Sequence, residues 1–284
     1  MSGTLFVVTT PIGNLEDVTL RALRVLREAD VIAAEDTRRT AHLLAHHGIA
    51  TRSLSFHQHN VRTRLPQLLA RLQAGDRVAL VSDAGTPGIS DPGVELVSAC
   101  VDAQIAVDPV PGVSAPLAAA VVSGFPLIPL TIFGFPPRRA KDRNHWMAQL
   151  EGTSHTLTFF ESPHRIGVTL REAATILGER QIVVGRELTK LHQEFLRGTC
   201  AEILPRLRLA KGELTVVVGP MNTPNIVSAP PDKQNESSAV DYFGYLTKIA
   251  GLQRRPALAE AARKFGVPAR VLYAAIENAK RSGT

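Results

Sequence analysis

Four short runs of apolar and β-branched residues, LFVVTT (5–10), DVIAAE (30–35), RVALVS (77–82) and AVDPVP (106–111), alternate with amphipathic stretches in the first third of the chain. Between them lie LRALRVLREA (20–29) and RTRLPQLLARLQAG (62–75), whose apolar residues recur at helical spacing. Strands separated by helices pair in parallel, with the helices returning over both faces of the sheet. The alternation therefore predicts an α/β fold with a doubly wound parallel sheet over residues 1–115. From about Leu130 the texture changes. LTIFGF, TLTFFE, QIVVGREL, EFLRGT and ELTVVVG read as strands with fewer helices between them, predicting a second, mixed α+β domain over 116–221.

Beyond Gly219 the chain becomes rich in Pro, Asn and Ser (PMNTPNIVSAPPDKQNESS), with too little apolar surface to hold a fold of its own. Residues 222–240 are expected to be a linker, and 241–284 a small helical unit. Its segment ALAEAARKFGVPARVLYAAIENA reads as two helices joined by FGVP.

The whole sequence has 284 residues, 44% hydrophobic and 20% charged, which suits an ordinary globular protein. Its 32 basic against 26 acidic residues favour a polyanionic partner. Cys100 and Cys200 sit in apolar stretches without zinc spacing and are expected to be buried thiols in a reducing cytoplasm. No signal peptide is expected in MSGTLFVVTTP, and no apolar run is long enough to span a membrane.

Three loops share an unusual character. SDAGTPGISDPG (82–93) follows the third of the four runs and holds three glycines, two prolines and two carboxylates, with Ile89 its only bulky side chain. TTPIGNLED follows the first run, and PVPGVSAP follows the fourth and opens the small-residue helix SAPLAAAVVSG. All three fall at the carboxyl edge of the predicted parallel sheet, where open α/β folds bind ligands. None matches G-x-G-x-x-G or the Gly-Lys-Ser/Thr ending of a P-loop. The expected ligand is nucleotide-like and held mostly by backbone groups, with Asp83 placed to meet a ribose, an amine or a cation. Asp91 is read as a cap for the following helix.

Taken in order, TTPIGNLEDVTLRAL, AAEDTRRT, SDAGTPGISDPG, PVPGVSA, FFESPHR and GRELTKLHQEFLRGT resemble the tetrapyrrole-methylase superfamily. More narrowly, they are similar to the branch that methylates the ribose 2'-hydroxyl of a cytidine in small-subunit (16S) ribosomal RNA. The resemblance runs from residue 5 to about 220. One position departs from it, Gln58 in FHQHN, where the branch pattern calls for Glu. It implies a two-domain fold with S-adenosyl-L-methionine folded into a cleft between the domains, and a homodimer. Carried over by position, the cofactor would meet Pro11, Ile12, Asp83, Gly85, Thr86, Ile89, Gly112, Val113 and Ser114. From the other domain it would meet Phe160, the strand-end Glu187, Leu214 and Thr215.

Methyl transfer to a hydroxyl is an in-line displacement that needs no metal, but the hydroxyl must lose its proton. Candidate catalytic groups at strand ends are Glu35, Asp36, Glu161, Glu187 and Lys190. Taken singly, each reads as a structural ion-pair partner of Arg38, Arg165 or Arg186 before it reads as the base. Arg38, Arg39, Arg138, Arg139, Lys141, Arg165 and Arg186, with Arg143, are read as loop cations that grip phosphate, beside His145 or Trp146 for stacking. His57 and His59 with Asn60 make a poor metal site, and no metal is expected. Two competing readings remain at this stage. One is a methyltransferase of a small tetrapyrrole, and the other is a ligand-sensing DNA regulator using the C-terminal helix-turn-helix pattern.

Overall fold

The computed structural model describes residues 2–89, 93–207, 212–221, 233–248, 252–265 and 267–281. The chain divides into two compact units, 1–223 and 224–284. Asp91 lies outside the described residues.

The first unit opens with strands β1 (Thr4–Val8), β2 (Val31–Ala34), β3 (Ser53–Ser55), β4 (Arg77–Val81) and β5 (Ala106–Val110). Helices α1 (Leu20–Glu28), α2 (Thr37–His46), α3 (Val61–Gln73) and α4 (Val94–Asp102) lie between them. The strands form one sheet in the order β3-β2-β4-β1-β5, every neighbour parallel, with Leu5 opposite Val78 and Val107. All four residues of β2 and four of five in β4 are buried, as a sheet covered on both faces requires. On one face Ala22, Val25 and Leu26 of α1 and Leu43 and Leu44 of α2 pack on Ile32, Ala34, Ala79 and Val81. On the other face Leu68 and Leu72 of α3 and Leu96 and Cys100 of α4 pack on Val31, Ala33, Val78 and Leu80. Full burial of each such aliphatic side chain stabilises the fold by about 1.5–3 kcal/mol. β1 sends the chain to β2 on one side, and its neighbour β4 sends it to β5 on the other. Their carboxyl ends thus mark the crevice where successive connections diverge.

Helix α5 (Ala115–Val121) leads to a second sheet made of β6 (Leu130–Ile132), β7 (Thr156–Glu161), β8 (Ile182–Arg186), β9 (Glu194–Gly198) and β10 (Leu214–Val218). Their order is β6-β7-β10-β8-β9. Only the β6–β7 pair is parallel. Along β10 the side chains alternate. Leu214, Val216 and Val218 join Trp146, Leu150, Ile166 and Leu170 of α6 (Ala140–Gly152) and α7 (Ile166–Leu177). Val217 faces the opposite way, toward Ala119 and Ala120 of α5 and Ile12 from the loop after β1. The short helix α8 (Cys200–Ile203) completes this half behind a Thr199–Glu202 capping box.

The second unit holds α9 (Lys233–Lys248), α10 (Arg254–Phe265) and α11 (Ala269–Arg281). Its own core comprises Ala239, Phe243, Leu246, Ala257, Ala261, Val267, Leu272 and Ile276.

The structure corrects four sequence expectations. The linker expected over 222–240 is helical from Lys233 onward, because Ala239, Phe243 and Leu246 supply a buried stripe that the polar stretch before them hides. Among the described residues the C-terminal unit accordingly has α9 ahead of the two helices read in the sequence, α10 and α11. Several cations read as loop residues stand on helices, Arg38 and Arg39 in the first turn of α2 and Lys141 and Arg143 in α6. Trp146 is not a stacking platform: it is buried, its indole N–H donating to the Phe133 carbonyl at 3.3 Å. Both cysteines are buried and unpaired, and burial pushes each thiol up to about 11, so neither is a ready nucleophile. No described helix is long and apolar enough to cross a membrane.

Candidate functional site

Two bare loops are tied across the crevice by their backbones. The amides and carbonyls of Thr10 and Gly85 exchange two hydrogen bonds of 3.0 Å, and the Thr9 and Thr86 hydroxyls meet at 3.2 Å. Gly85 makes this pairing with a φ of +78°, a conformation glycine adopts without a Cβ penalty. Gly112, in the third loop, packs so closely on Thr9 that a Cβ would come within 2.9 Å of that side chain. The bareness of these loops thus serves their mutual packing as well as any ligand.

A cavity of about 320 Å³ lies over this edge and reaches the second sheet. Ile12, Asp83, Gly85, Thr86, Ile89 and Ser114 line it from the first half, with Phe160, Leu214 and Thr215 across from them. Glu35, Arg39 and Glu161 also reach it. Of the other expected cofactor residues, Pro11 lines an adjoining cavity, while Gly112, Val113 and Glu187 touch neither. Leu188, Gly212, Glu213, Ala115, Pro116, Ser162, Pro163 and Phe135 line the main cavity and went unread in the sequence. Phe135 was the most legible of these, an aromatic three residues before the basic run that starts at Arg138. Its ring lies 5.1 Å from that of Phe160, and half its surface is exposed.

The adjoining cavity, of about 270 Å³, shares Ile12, Arg39, Asp83, Ala84 and Glu213 with the first. Thr10, Pro11 and Gly13 line it, together with Thr40 and His42 of α2 and Lys190. Arg39 Nη1 stands 3.5 Å from Asp83 Oδ2 at the passage between the two.

The five candidate catalytic groups separate clearly. Asp36 caps α2, accepting from the Arg38 amide at 2.9 Å, and is held by two further bonds from the Arg38 guanidinium. These bonds bring its carboxyl down to about 2. Glu161 is fully buried, accepting from the Thr169 hydroxyl at 2.6 Å and the Ser162 amide at 2.7 Å, with Arg165 at 3.7 Å. Burial pushes the Glu187 carboxyl up, but bonds from Lys190 Nζ at 2.9 Å and the Glu213 amide at 3.1 Å outweigh it and hold the group below its usual range. Lys190 is thereby committed to Glu187. Glu35 differs. Among the described residues its Oε2 accepts only from the Asp83 amide, at 3.2 Å, and burial, reinforced by the Asp83 charge, raises its carboxyl above the usual value despite that bond. Asp83 in turn accepts from the Asp36 amide at 2.9 Å, so the three acids form one chain of contacts along the sheet edge.

The cations separate as well. Arg165 donates to the Pro136 and Pro137 carbonyls, Arg143 is paired with Glu172, and Arg186 lies 3.6 Å from Glu194. Arg138, Arg139 and Lys141 are exposed around the start of α6. Among the described residues, no group of three His, Cys, Asp or Glu is arranged to hold a metal ion.

The family model for tetrapyrrole (corrin/porphyrin) methylases matches residues 4–204. A "Ribosomal RNA small subunit methyltransferase I" of Halalkalibacterium halodurans is 44% identical over 95% of this chain and 93% of its own length. Its namesake in Thermotoga maritima is 48% identical, 76% of this chain covering 98% of that protein. The fold is shared with a cobalt precorrin-4 methyltransferase (TM-score 0.59, 20% identity, 76% of this chain and 94% of that one). It is shared too with a uroporphyrin-III C-methyl transferase of Thermus thermophilus solved with S-adenosyl homocysteine (TM-score 0.53, 18% identity, 76% and 92%). The chain belongs to the tetrapyrrole (corrin/porphyrin) methylase family, in the group that holds the ribosomal RNA small subunit methyltransferase I proteins.

Proposed function

We propose that the chain is an S-adenosylmethionine-dependent methyltransferase of small-subunit ribosomal RNA, its acceptor the 2'-hydroxyl of a cytidine ribose. The observation that carries this reading is the similarity, over 95% of the chain, to relatives named ribosomal RNA small subunit methyltransferase I, and the 2'-hydroxyl of a cytidine as acceptor is what the motif resemblance adds. The site fits the cofactor. A cavity of about 320 Å³ is in the range of small-molecule sites. Ile12, Ile89, Phe160 and Leu214 give it apolar walls, and Glu35, Asp83 and Glu213 give it carboxylates suited to a ligand carrying positive charge. Ile12, Asp83, Gly85, Thr86, Ile89, Ser114, Phe160, Leu214 and Thr215 would hold the cofactor, with Pro11, Gly112 and Val113 bracing the loops. When bound, S-adenosylmethionine supplies an electrophilic methyl group.

The residues of the chain do the remaining work. Glu35 is the general base: of the five candidates it alone faces the cavity with its Oε1 uncommitted by any described hydrogen bond. Its raised carboxyl is better matched to taking a proton than Asp36, held near 2. Glu161 holds the Ser162–Arg165 turn in place, and the Glu187–Lys190 pair anchors the loop beside it. The acceptor nucleotide enters through the adjoining cavity, whose Arg39 and His42 suit a phosphate backbone. Arg138, Arg139 and Lys141 contact RNA further out. The enzyme acts in the cytoplasm on small-subunit ribosomal RNA, as a homodimer.

Labelled S-adenosylmethionine offered with 30S subunits, naked ribosomal RNA or uroporphyrinogen tests the reading. Label should appear on ribose in the subunits. Transfer to uroporphyrinogen alone, or to none of the three, would overturn it.

A further inference from the structure

The last 61 residues, 224–284, hold nine of the 32 basic residues but only five of the 26 acidic ones, so most of the chain's net positive charge belongs to the C-terminal unit. The Thermotoga relative is matched almost whole by about three quarters of this chain, so a relative of the same name manages with far less sequence. The methylase family model ends at residue 204, and a basic unit beyond it suits affinity for a polyanion better than chemistry.

The outer surface of α9 and α10 shows where that affinity resides. Tyr242 and Tyr245 stand one helical turn apart with rings 17° from parallel and centroids 6.0 Å apart. Lys264 Nζ sits 3.7 Å from the Tyr242 centroid and 5.8 Å from that of Phe265. Phe265 also packs edge-on to Tyr242 at 5.7 Å. Tyr242 and Phe265 are partly buried against the unit's core of Ala239, Phe243, Leu246 and their partners, whereas half of Tyr245 remains in solvent. An exposed aromatic face aligned with a second ring and an ammonium is the arrangement that takes an unpaired base by stacking and its phosphate by charge. Duplex DNA would instead be read from the recognition helix of a helix-turn-helix. α11 exposes only Arg270, Tyr273 and Asn278 as side chains of any reach among its described positions.

We propose that Tyr242, Tyr245 and Lys264 form a stacking platform for a single-stranded segment of the RNA substrate. This rests on the ribosomal RNA reading above. On the full-length protein, Tyr245→Ala should weaken binding of an unstructured oligoribonucleotide about tenfold, the scale of one lost base–aromatic stack. Tyr245→Phe should bind like wild type, since the ring and not the hydroxyl makes the contact. Lys264→Gln should lower the salt dependence by about 0.7 in log–log slope, one phosphate contact on a single strand. S-adenosyl homocysteine affinity and the melting profile should be unchanged in all three. Unaltered RNA affinity in both Tyr245→Ala and Lys264→Gln would overturn the proposal. So would equal losses in Tyr245→Ala and Tyr245→Phe, or tighter binding of duplex DNA than of RNA by the wild type. If instead the wild-type enzyme methylates no RNA, the functional reading itself falls.

Discussion

Glu35→Gln isolates the charge of the proposed base with little change of shape. The amide oxygen of glutamine can still accept from the Asp83 N–H that Glu35 Oε2 accepts at 3.2 Å, so the sheet-edge hydrogen bond survives. What disappears is a carboxylate whose ionised form burial disfavours, with the neighbouring Asp83 charge acting in the same direction. A carboxyl group raised in the folded state above its unfolded value favours folding most below the unfolded value. That advantage is lost as pH rises through the folded one. At neutral pH the ionised group therefore costs stability, and Glu35→Gln should unfold at the same or a slightly higher urea concentration than wild type. Catalysis should move the other way. Losing a positioned base lowers kcat by about 10²–10⁴, or roughly 3–5 kcal/mol in transition-state stabilisation. Single-turnover methylation of 30S subunits reads the rate, and calorimetry with S-adenosyl homocysteine checks that the cofactor still binds. In the wild type the single-turnover rate should decline as pH is lowered through the raised Glu35 value, above the ordinary 4.5, and this limb should be missing from the variant. A variant within threefold of wild type would refute the assignment. A matching collapse of S-adenosyl homocysteine affinity would make Glu35 a cofactor-holding residue.

Glu161→Ala should cost about 3–5 kcal/mol in urea unfolding, because it strands the Arg165 charge and the Thr169 hydroxyl around a buried site. A loss below 1 kcal/mol would show that the buried pair is not what holds the turn. The Asp36 carboxyl, held at about 2, stabilises the fold above its unfolded value of 3.8, a contribution lost as pH falls through about 2. The melting-temperature gap between wild type and Asp36→Ala should therefore be open at neutral pH and close as acid is added, and a gap independent of pH would contradict the Arg38 clamp. Reversing Arg138, Arg139 and Lys141 to Glu should weaken RNA binding and flatten its salt dependence while leaving S-adenosyl homocysteine affinity near wild type. Equal losses of both ligands would place these residues in the cofactor site or the fold.

Much of this molecule is written in local pattern. The runs LFVVTT, DVIAAE, RVALVS and AVDPVP announced strands because a sheet covered on both faces demands nearly unbroken apolar residues, and three contain the observed strand whole while β1 begins one residue earlier, at Thr4. The bare loops could be placed at the carboxyl edge because a parallel sheet puts every strand-to-helix turn there. Where pattern was weak the reading failed. SLS at β3 is too short and polar to announce itself, and the polar first half of α9 passed for linker. The Arg-rich stretches carried no periodicity to separate a helix's first turn from a loop. The site divides the same way. The sequence alone determined which carboxylates stand at strand ends, but not which of them is free. That depends on partners far along the chain. Glu35 meets Asp83, 48 positions away, through one amide, whereas Glu187 is held by Glu213, 26 positions on, and by Lys190 beside it. A carboxylate's role follows from how many donors converge on it and how much water they exclude, and only the packing of the two sheets against α5 and its neighbouring loops sets that number.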